Sequence, residues 1–289
     1  MLQVARLATR LLGDSTPLVA QFLHTQLGPN GAGRDRDGRP DLYYSIFALA
    51  GLQALDSELP LSTLRSHLAS YESGEHLDLV HLGALARCWG VAGVQHLPHG
   101  RSAEILKRIE SHRSADGGYD AMPGAEHGNA YGCFVALGAY QDLGEPQPSP
   151  LRMVQCLKLL ETEDGAWANT RKLKLGSTNA TAAAVTLLRQ LDLPIHPRVG
   201  DWLLARAHPA GGFLAMPSAP MPDLLSTATT LHALASMEVP LPAPLKERCL
   251  DFVDSLWTNR GGFHGHWADD DLDAEYTFYG LLALGHLSL

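Results

Sequence analysis

The chain repeats itself. A glycine pair or Asp-Gly, a polar loop and then a nearly uncharged helix recur as "ADGGYDAMPGAEHGNAYGCFVAL" from Ala115, "EDGAWANTRKLKLGSTNATAAAVTLL" from Glu163, "AGGFLAMPSAPMPDLLSTATTLHAL" from Ala210 and "RGGFHGHWADDDLDAEYTFYGLLAL" from Arg260. Gly118, Gly165, Gly212 and Gly262 follow one another at 47, 47 and 50 residues. Fainter copies begin at Asn30 ("NGAGRDRDGRPDLYYSIFALAGLQAL") and Glu72 ("ESGEHLDLVHLGALARCWG"). A period of this length marks stacked units, none of which buries its apolar face alone. Six units of about 48 residues, with N-terminal helices in residues 1–29, make residues 1–289 one domain.

Each unit holds two helical segments. Segments 41–55, 77–92, 128–141, 179–191, 223–237 and 273–289 are apolar nearly all round, which fits helices buried on every side. Segments 17–27, 61–72, 101–113, 150–163, 197–207 and 244–258 carry charge on one stripe and read as surface helices. No run alternates with the period of a strand. An open stack needs polar caps, yet 273–289 stays apolar almost to the C-terminus, so closure onto the first helices is expected to cover it. The fold class is therefore all-α: an α/α toroid of six helical hairpins around a central cavity.

With 22 basic and 31 acidic residues the net charge is −9, and no basic run stands out, which argues against nucleic acid as a partner. No stretch has the length and apolarity of a membrane span, so an integral membrane protein is not expected. Residues 1–13 read as an amphipathic helix rather than a signal peptide. Cys88, Cys133, Cys156 and Cys249 are scattered and form no CxxC; they read as buried thiols of a reducing, cytoplasmic compartment.

Several apolar helices open on an acid with Ser or Thr four residues later: Asp41/Ser45, Asp223/Thr227 and Asp273/Thr277. The second and third units keep only the acid, at Asp78 and Glu126; the fourth keeps only hydroxyls, Ser177 and Thr181. Acids at a helix start accept from free N–H groups and suit the dipole. In a ring of parallel inner helices these five acids also converge on one mouth, beyond what capping requires.

"GGF…PDLLSTATTLHAL" and "DAEYTFYGLLALGHL" resemble the repeats of protein prenyltransferase β subunits and of squalene–hopene-type terpene cyclases, and "PGAEHGNAYGCFVAL" (123–137) is similar to a prenyltransferase segment. The resemblance covers about residues 30–289 and implies the toroid and an isoprenoid substrate. In the prenyltransferases an Asp, a Cys two residues on and a His in the last repeat bind zinc. Their places here hold Asp223, Leu225 and Tyr276, so zinc is not expected. The basic residues that bind diphosphate shortly before that Asp are missing from "LAMPSAPMP". His127 matches a diphosphate-contacting His, and Arg171, Lys172 and Lys174 supply other cations. In the cyclases a D-x-D-D motif protonates the substrate; its place here reads Ser177-Thr178-Asn179-Ala180, while Asp273 and Glu275 take its first and third positions in the last unit.

Asp269-Asp270-x-x-Asp273 has the spacing of a magnesium-diphosphate motif, so magnesium is expected only if the substrate is a diphosphate; a solvated acidic loop is the alternative. His264 and His266 read as loop histidines, and "RDRDGRPD" lacks the distant Glu of a calcium loop. No P-loop, GxSxG or HExxH is present.

Tyr43, Tyr44, Phe47, His81, Asn129, Tyr131, Trp167, Asn179, Tyr276 and Tyr279 are expected near the mouth, where aromatic faces stabilise cations and an apolar setting keeps a carboxyl protonated. Glu275 and Asp273 are the candidate catalytic pair, Glu275 as proton donor. Asp41, Tyr44, His81, Glu126, His127, Asn129, Lys172, Lys174, Asn179, Asp223, Tyr276 and Tyr279 are the candidate substrate-binding residues. Three readings follow: a terpene cyclase acting on a polyprenyl chain; a zinc-less prenyl transferase, as a homodimer or with a helical partner subunit; and a non-catalytic toroid that binds a lipid or protein.

Overall fold

The computed structural model describes all 289 residues. Its helices are α1 (Leu2–Ala5), α2 (Thr9–Leu12), α3 (Thr16–Thr25), α4 (Leu42–Ala54), α5 (Leu61–Ala69), α6 (Leu79–Ala92), α7 (Arg101–Glu110), α8 (Ala130–Asp142), α9 (Pro150–Lys158), α10 (Thr178–Gln190), α11 (Arg198–Leu204), α12 (Leu224–Ser236), α13 (Ala243–Ser255) and α14 (Ala274–Leu287). From α3 onward they form six hairpins. The even-numbered helices α4 to α14 are the inner ring: each packs on the next, and α14 packs on α4 to close it. There is no sheet.

The segment expected as one helix over 1–13 is broken into α1 and α2 by a 3₁₀ turn at Arg6–Ala8. It packs against α14, and α1 also against α4. The apolar last helix is thus covered by both the first inner helix and the N-terminal segment. The outer helices are mostly shorter than the charge pattern extended them; α11 ends at Leu204 rather than 207. The residues beyond their C-termini are instead taken up in a turn that pairs Leu27 with Gly33, Arg113 with Tyr119, Glu161 with Trp167, Ala207 with Phe213 and Trp257 with Phe263.

The glycine pairs dock this turn. Gly211 has φ +95°, and a Cβ there would lie 1.9 Å from the Arg248 carbonyl of α13. Gly261 has φ +91°, and its Cβ would lie 2.3 Å from the Leu18 carbonyl of α3. Each turn therefore lies against the next outer helix, and the last against the first, closing the outer ring as well. Only glycine combines that backbone with that approach.

A hydroxyl fastens the turn to the inner helix. Thr227 Oγ1 donates to Asp223 O (2.7 Å) and accepts the Phe213 N–H (2.9 Å). Ser45 does the same between Asp41 O (2.6 Å) and Gly33 N (2.7 Å). Thr277 repeats it with Asp273 and Phe263. The recurrence of Ser or Thr four residues after the acid is this clamp, which satisfies a buried backbone N–H.

Candidate functional site

The inner ring encloses a cavity of about 860 Å³. It exists because the cavity face carries small residues: Ala50, Gly83, Gly90, Gly138, Ala182 and Ala183. Between them stand Tyr43, Phe47, Tyr131, Phe134, Phe278 and Tyr279. The cavity runs from the N-terminal ends of the inner helices, the mouth, to their C-terminal ends, where Met1 and Leu2 join the lining.

Every inner helix has a side-chain cap at its third free N–H. Asp41 accepts from Tyr44 N, Asp78 from His81 N, Asn129 from Gly132 N, Ser177 from Ala180 N, Asp223 from Ser226 N and Asp273 from Tyr276 N. Asp41, Asp78, Asp223 and Asp273 thus act as caps, as does Ser177. The mouth gathers four of the five acids, not five. Glu126 lies exposed in the loop before α8, and Asn129 takes the cap that the pattern of acids assigned to it.

Two polar groups form at the mouth. His81 Nδ1 meets Asp78 (2.8 Å) and Nε2 meets Asp41 (3.3 Å). Burial works against its charge, but the two carboxylates outweigh it and raise the imidazole pKa. Across the ring, Arg36 from the first unit reaches the last: Nε donates to Asp273 (2.8 Å), Nη2 to Asp269 (3.1 Å) and Nη1 to Asp271 (3.4 Å). The guanidinium also stands 5.6 Å from the Tyr276 ring centre. Two carboxylates of the magnesium-like spacing are therefore engaged by one arginine, while Asp270 is exposed. No group of three or more His, Cys, Asp or Glu side chains is arranged to hold a metal ion.

Glu275, in the first turn of α14, accepts the Tyr43 hydroxyl at 2.5 Å. Burial pushes its carboxyl up to about 7, with Asp273 adding to the rise while the Tyr43 hydrogen bond and Arg36 oppose it. Tyr279, one turn further on the same face, lines the cavity, as do Tyr43 and Tyr131. Asp273 is only 2% exposed. Burial raises its pKa too, against the Tyr276 N–H and Arg36, which hold its charged form.

Other candidates are spread further. Asn179 lines the cavity and accepts from Thr229 Oγ1 (3.1 Å). Tyr44 is half-buried against Tyr43, with ring centres 5.6 Å apart. The Tyr276 ring covers Gly265 instead of lining the cavity. Asp223 caps α12, with burial raising its pKa. His127 is exposed and 3.8 Å from Asp116; Lys172 is exposed, and Lys174 pairs with Glu163 (3.2 Å). Asn129 is turned to Asp120 (2.8 Å). Trp167, expected near the mouth, is instead buried between rings, its Nε1 donating to Leu157 O (3.1 Å), because its turn folds it under the outer helix.

Sequence reasoning missed the far end of the cavity. Gln53, Arg87, Gln141 and Asp142 line it there, with Arg87 Nε donating to Asp142 at 2.5 Å. The signal was present as a lone arginine inside the apolar "LVHLGALARCWGVA".

In three dimensions the chain is similar to the type II terpene cyclase MstE from Scytonema (TM-score 0.64, 13% identity, 96% of this chain and 97% of that one). It is similar to Candida albicans protein geranylgeranyltransferase-I complexed with GGPP (TM-score 0.69, 14% identity, 94% and 90%). It is also similar to an inactive variant of the alpha-1,6-mannanase GH76A of Salegentibacter sp. HEL1_6 (TM-score 0.61, 13% identity, 96% and 98%). At such identities the likeness is one of fold, and the mannanase shows how far chemistry varies on it. No curated protein matches by sequence. The family model of the prenyltransferase alpha-alpha toroid domain matches residues 13–81 and 155–287, and with most of its length in that match this chain belongs to the prenyltransferase alpha-alpha toroid family.

Proposed function

We propose that the protein is a terpene cyclase that starts cyclisation of a polyprenyl substrate by protonation. The observation that carries this reading is Glu275, a carboxyl raised to about 7 and joined at 2.5 Å to Tyr43 in the wall of an aromatic-lined cavity. A group of that pKa is protonated in useful amount near neutral pH and still acidic enough to give its proton up. With Glu275 protonated the bond reverses, its carboxyl O–H donating to Tyr43 Oη; this proton passes to Tyr43 as the phenol's own proton, turned to the cavity, moves to a carbon of the terminal alkene. The alkene π pair forms the new C–H bond and leaves a carbocation. Internal alkenes attack it in turn to close rings, and loss of a proton from the last cation ends the sequence. Tyr43, Phe47, Tyr131, Phe134, Phe278 and Tyr279 line the space the cation would occupy, and aromatic rings stabilise positive charge through their π faces. The largely apolar wall limits the water that can reach it. Neither the acid nor its relay needs a metal ion, and the reading includes none.

A second reading, a zinc-less prenyl transferase, is favoured by the likeness to the geranylgeranyltransferase and by Leu151 on α9 and Leu159 just beyond its end, exposed at 70% and 51% as a partner subunit would require. Against it, Arg36, Arg171 and Lys174 at the mouth are all paired with carboxylates. Incubation with farnesyl, geranylgeranyl and squalene-type substrates, followed by mass spectrometry, tests both. Cyclised isomers support the cyclase, released diphosphate with a prenylated acceptor supports the transferase, and binding without conversion leaves a carrier. No helix is long and apolar enough to cross a membrane, and the reading treats the substrate as delivered to the mouth.

A further inference from the structure

The far end of the cavity carries its charged side chains, where the rest of the lining is apolar apart from Asn169, Asn179, Thr186 and Thr229. Arg87 is eight residues beyond Leu79 on α6, and so about 12 Å along the helix from the mouth. Asp142 is the last residue of α8, and Gln53 is one residue from the end of α4. All three, with Gln141, line the same cavity as the aromatic residues under Glu275. Arg87 spends Nε on Asp142 (2.5 Å). Its Nη2 extends over Gly138, and is the one atom within 4 Å of where a Cβ on that cavity-lining glycine would stand, at 3.7 Å. The guanidinium, 45% exposed, therefore keeps free donors at this end of the cavity, beside the half-buried Gln53 and the exposed Gln141.

We infer that this floor is a head-group subsite, and that the substrate is a polyprenyl chain bearing an uncharged hydrogen-bonding head, a hydroxyl or phenol, bound with its tail toward Glu275. The inference rests on the reading of this cavity as an isoprenoid chamber. Protonation-initiated cyclisation begins at the isoprene unit furthest from the head, so an acid at the mouth requires the head at the opposite end. The charge balance decides the class of head. One guanidinium already neutralised by a carboxylate has no surplus charge for a diphosphate, and Asp142 would repel one. Free amide and guanidinium N–H groups beside carboxylate and amide oxygens offer both donors and acceptors, which suits a hydroxyl. Arg87 is 45% exposed and Gln141 is exposed, so water pairs these groups in the free protein, and a hydrocarbon that displaced that water could not replace its hydrogen bonds.

Equilibrium binding of three probes to the whole protein tests this: geranylgeraniol, geranylgeranyl diphosphate and the hydrocarbon of the same length. The alcohol is expected to bind about tenfold more tightly than either of the others. Gln53→Met keeps the length of the side chain and removes the amide. It should weaken the alcohol about fivefold while leaving the hydrocarbon unchanged. Arg87→Met should do more, and should it fail to fold, Gln53→Met carries the test. Tightest binding by the diphosphate, or an equal loss for all three probes in Gln53→Met, overturns the head-group subsite while leaving an isoprenoid chamber standing. Binding of none of the three overturns both.

Discussion

Tyr43 on α4 and Glu275 on α14 are 232 positions apart in the chain and share a hydrogen bond of 2.5 Å. They stand together because α14 packs on α4 and closes the inner ring. The bond places a phenol between a protonatable carboxyl and the cavity.

Glu275→Gln is expected to abolish conversion and leave binding of the polyprenyl substrate largely intact. Tyr43→Phe should lower kcat by about 10²-fold, the scale of a lost proton-transfer group. Because the phenol hydrogen bond holds the Glu275 pKa down, its removal should move the alkaline limb of the pH–rate profile to higher pH. A profile unmoved by Tyr43→Phe would remove the tyrosine from the proton path.

The pH dependence of stability has two opposed parts. Glu275 is raised from its ordinary value of 4.5 to about 7, so the folded state binds the proton more tightly. Stability then falls as pH rises from about 4.5 to 7, by on the order of 3 kcal/mol. His232 and His286, hydrogen-bonded at 3.1 Å, are lowered by burial to about 3 and about 4. The unfolded chain takes up their protons first, so stability falls as pH drops below about 6.5. Thermal melts from pH 4 to 8 should show Glu275→Gln more stable than the wild type at pH 8, with the gain vanishing near pH 4.5.

Arg36 is the polar latch of the ring. Arg36→Met leaves Asp273, 2% exposed, without its ion partner, and should cost about 1–3 kcal/mol in denaturant melts. The loss should be smaller in the Arg36→Met/Asp273→Asn double variant, which removes the stranded charge. Equal losses in both would show that Asp273 never depended on Arg36.

Gly138 lines the cavity on an ordinary helical backbone, with Arg87 Nη2 the one atom near its Cβ position, at 3.7 Å. Gly138→Leu should preserve or slightly raise the melting temperature, since glycine is a poor helix former, while lowering affinity for a polyprenyl ligand at least tenfold by filling the chamber. Unchanged affinity would place the ligand elsewhere.

The repeat in the sequence carried the architecture. Spaced glycine pairs and uncharged helices such as 224–236, which has no polar face, leave no solution but mutual burial, and the apolar last helix demanded closure. Caps such as Asp41 and Asp223 were also legible, because capping depends on residues three positions apart in the chain. Which residues meet in the cavity was not. Glu126 shared the acidic pattern yet lies in solvent; the cap is Asn129, which follows Tyr119 at the same spacing as Asp223 follows Phe213, so an amide holds the place of the acid. Trp167 looked like a mouth aromatic and was folded under an outer helix by the turn that carries it. Arg36 meeting Asp273, Tyr43 meeting Glu275 and Arg87 meeting Asp142 are contacts between different repeats. A local pattern fixes what each helix buries; only closure of the ring decides which helix faces which, and so sets the environment that moves the Glu275 carboxyl to about 7.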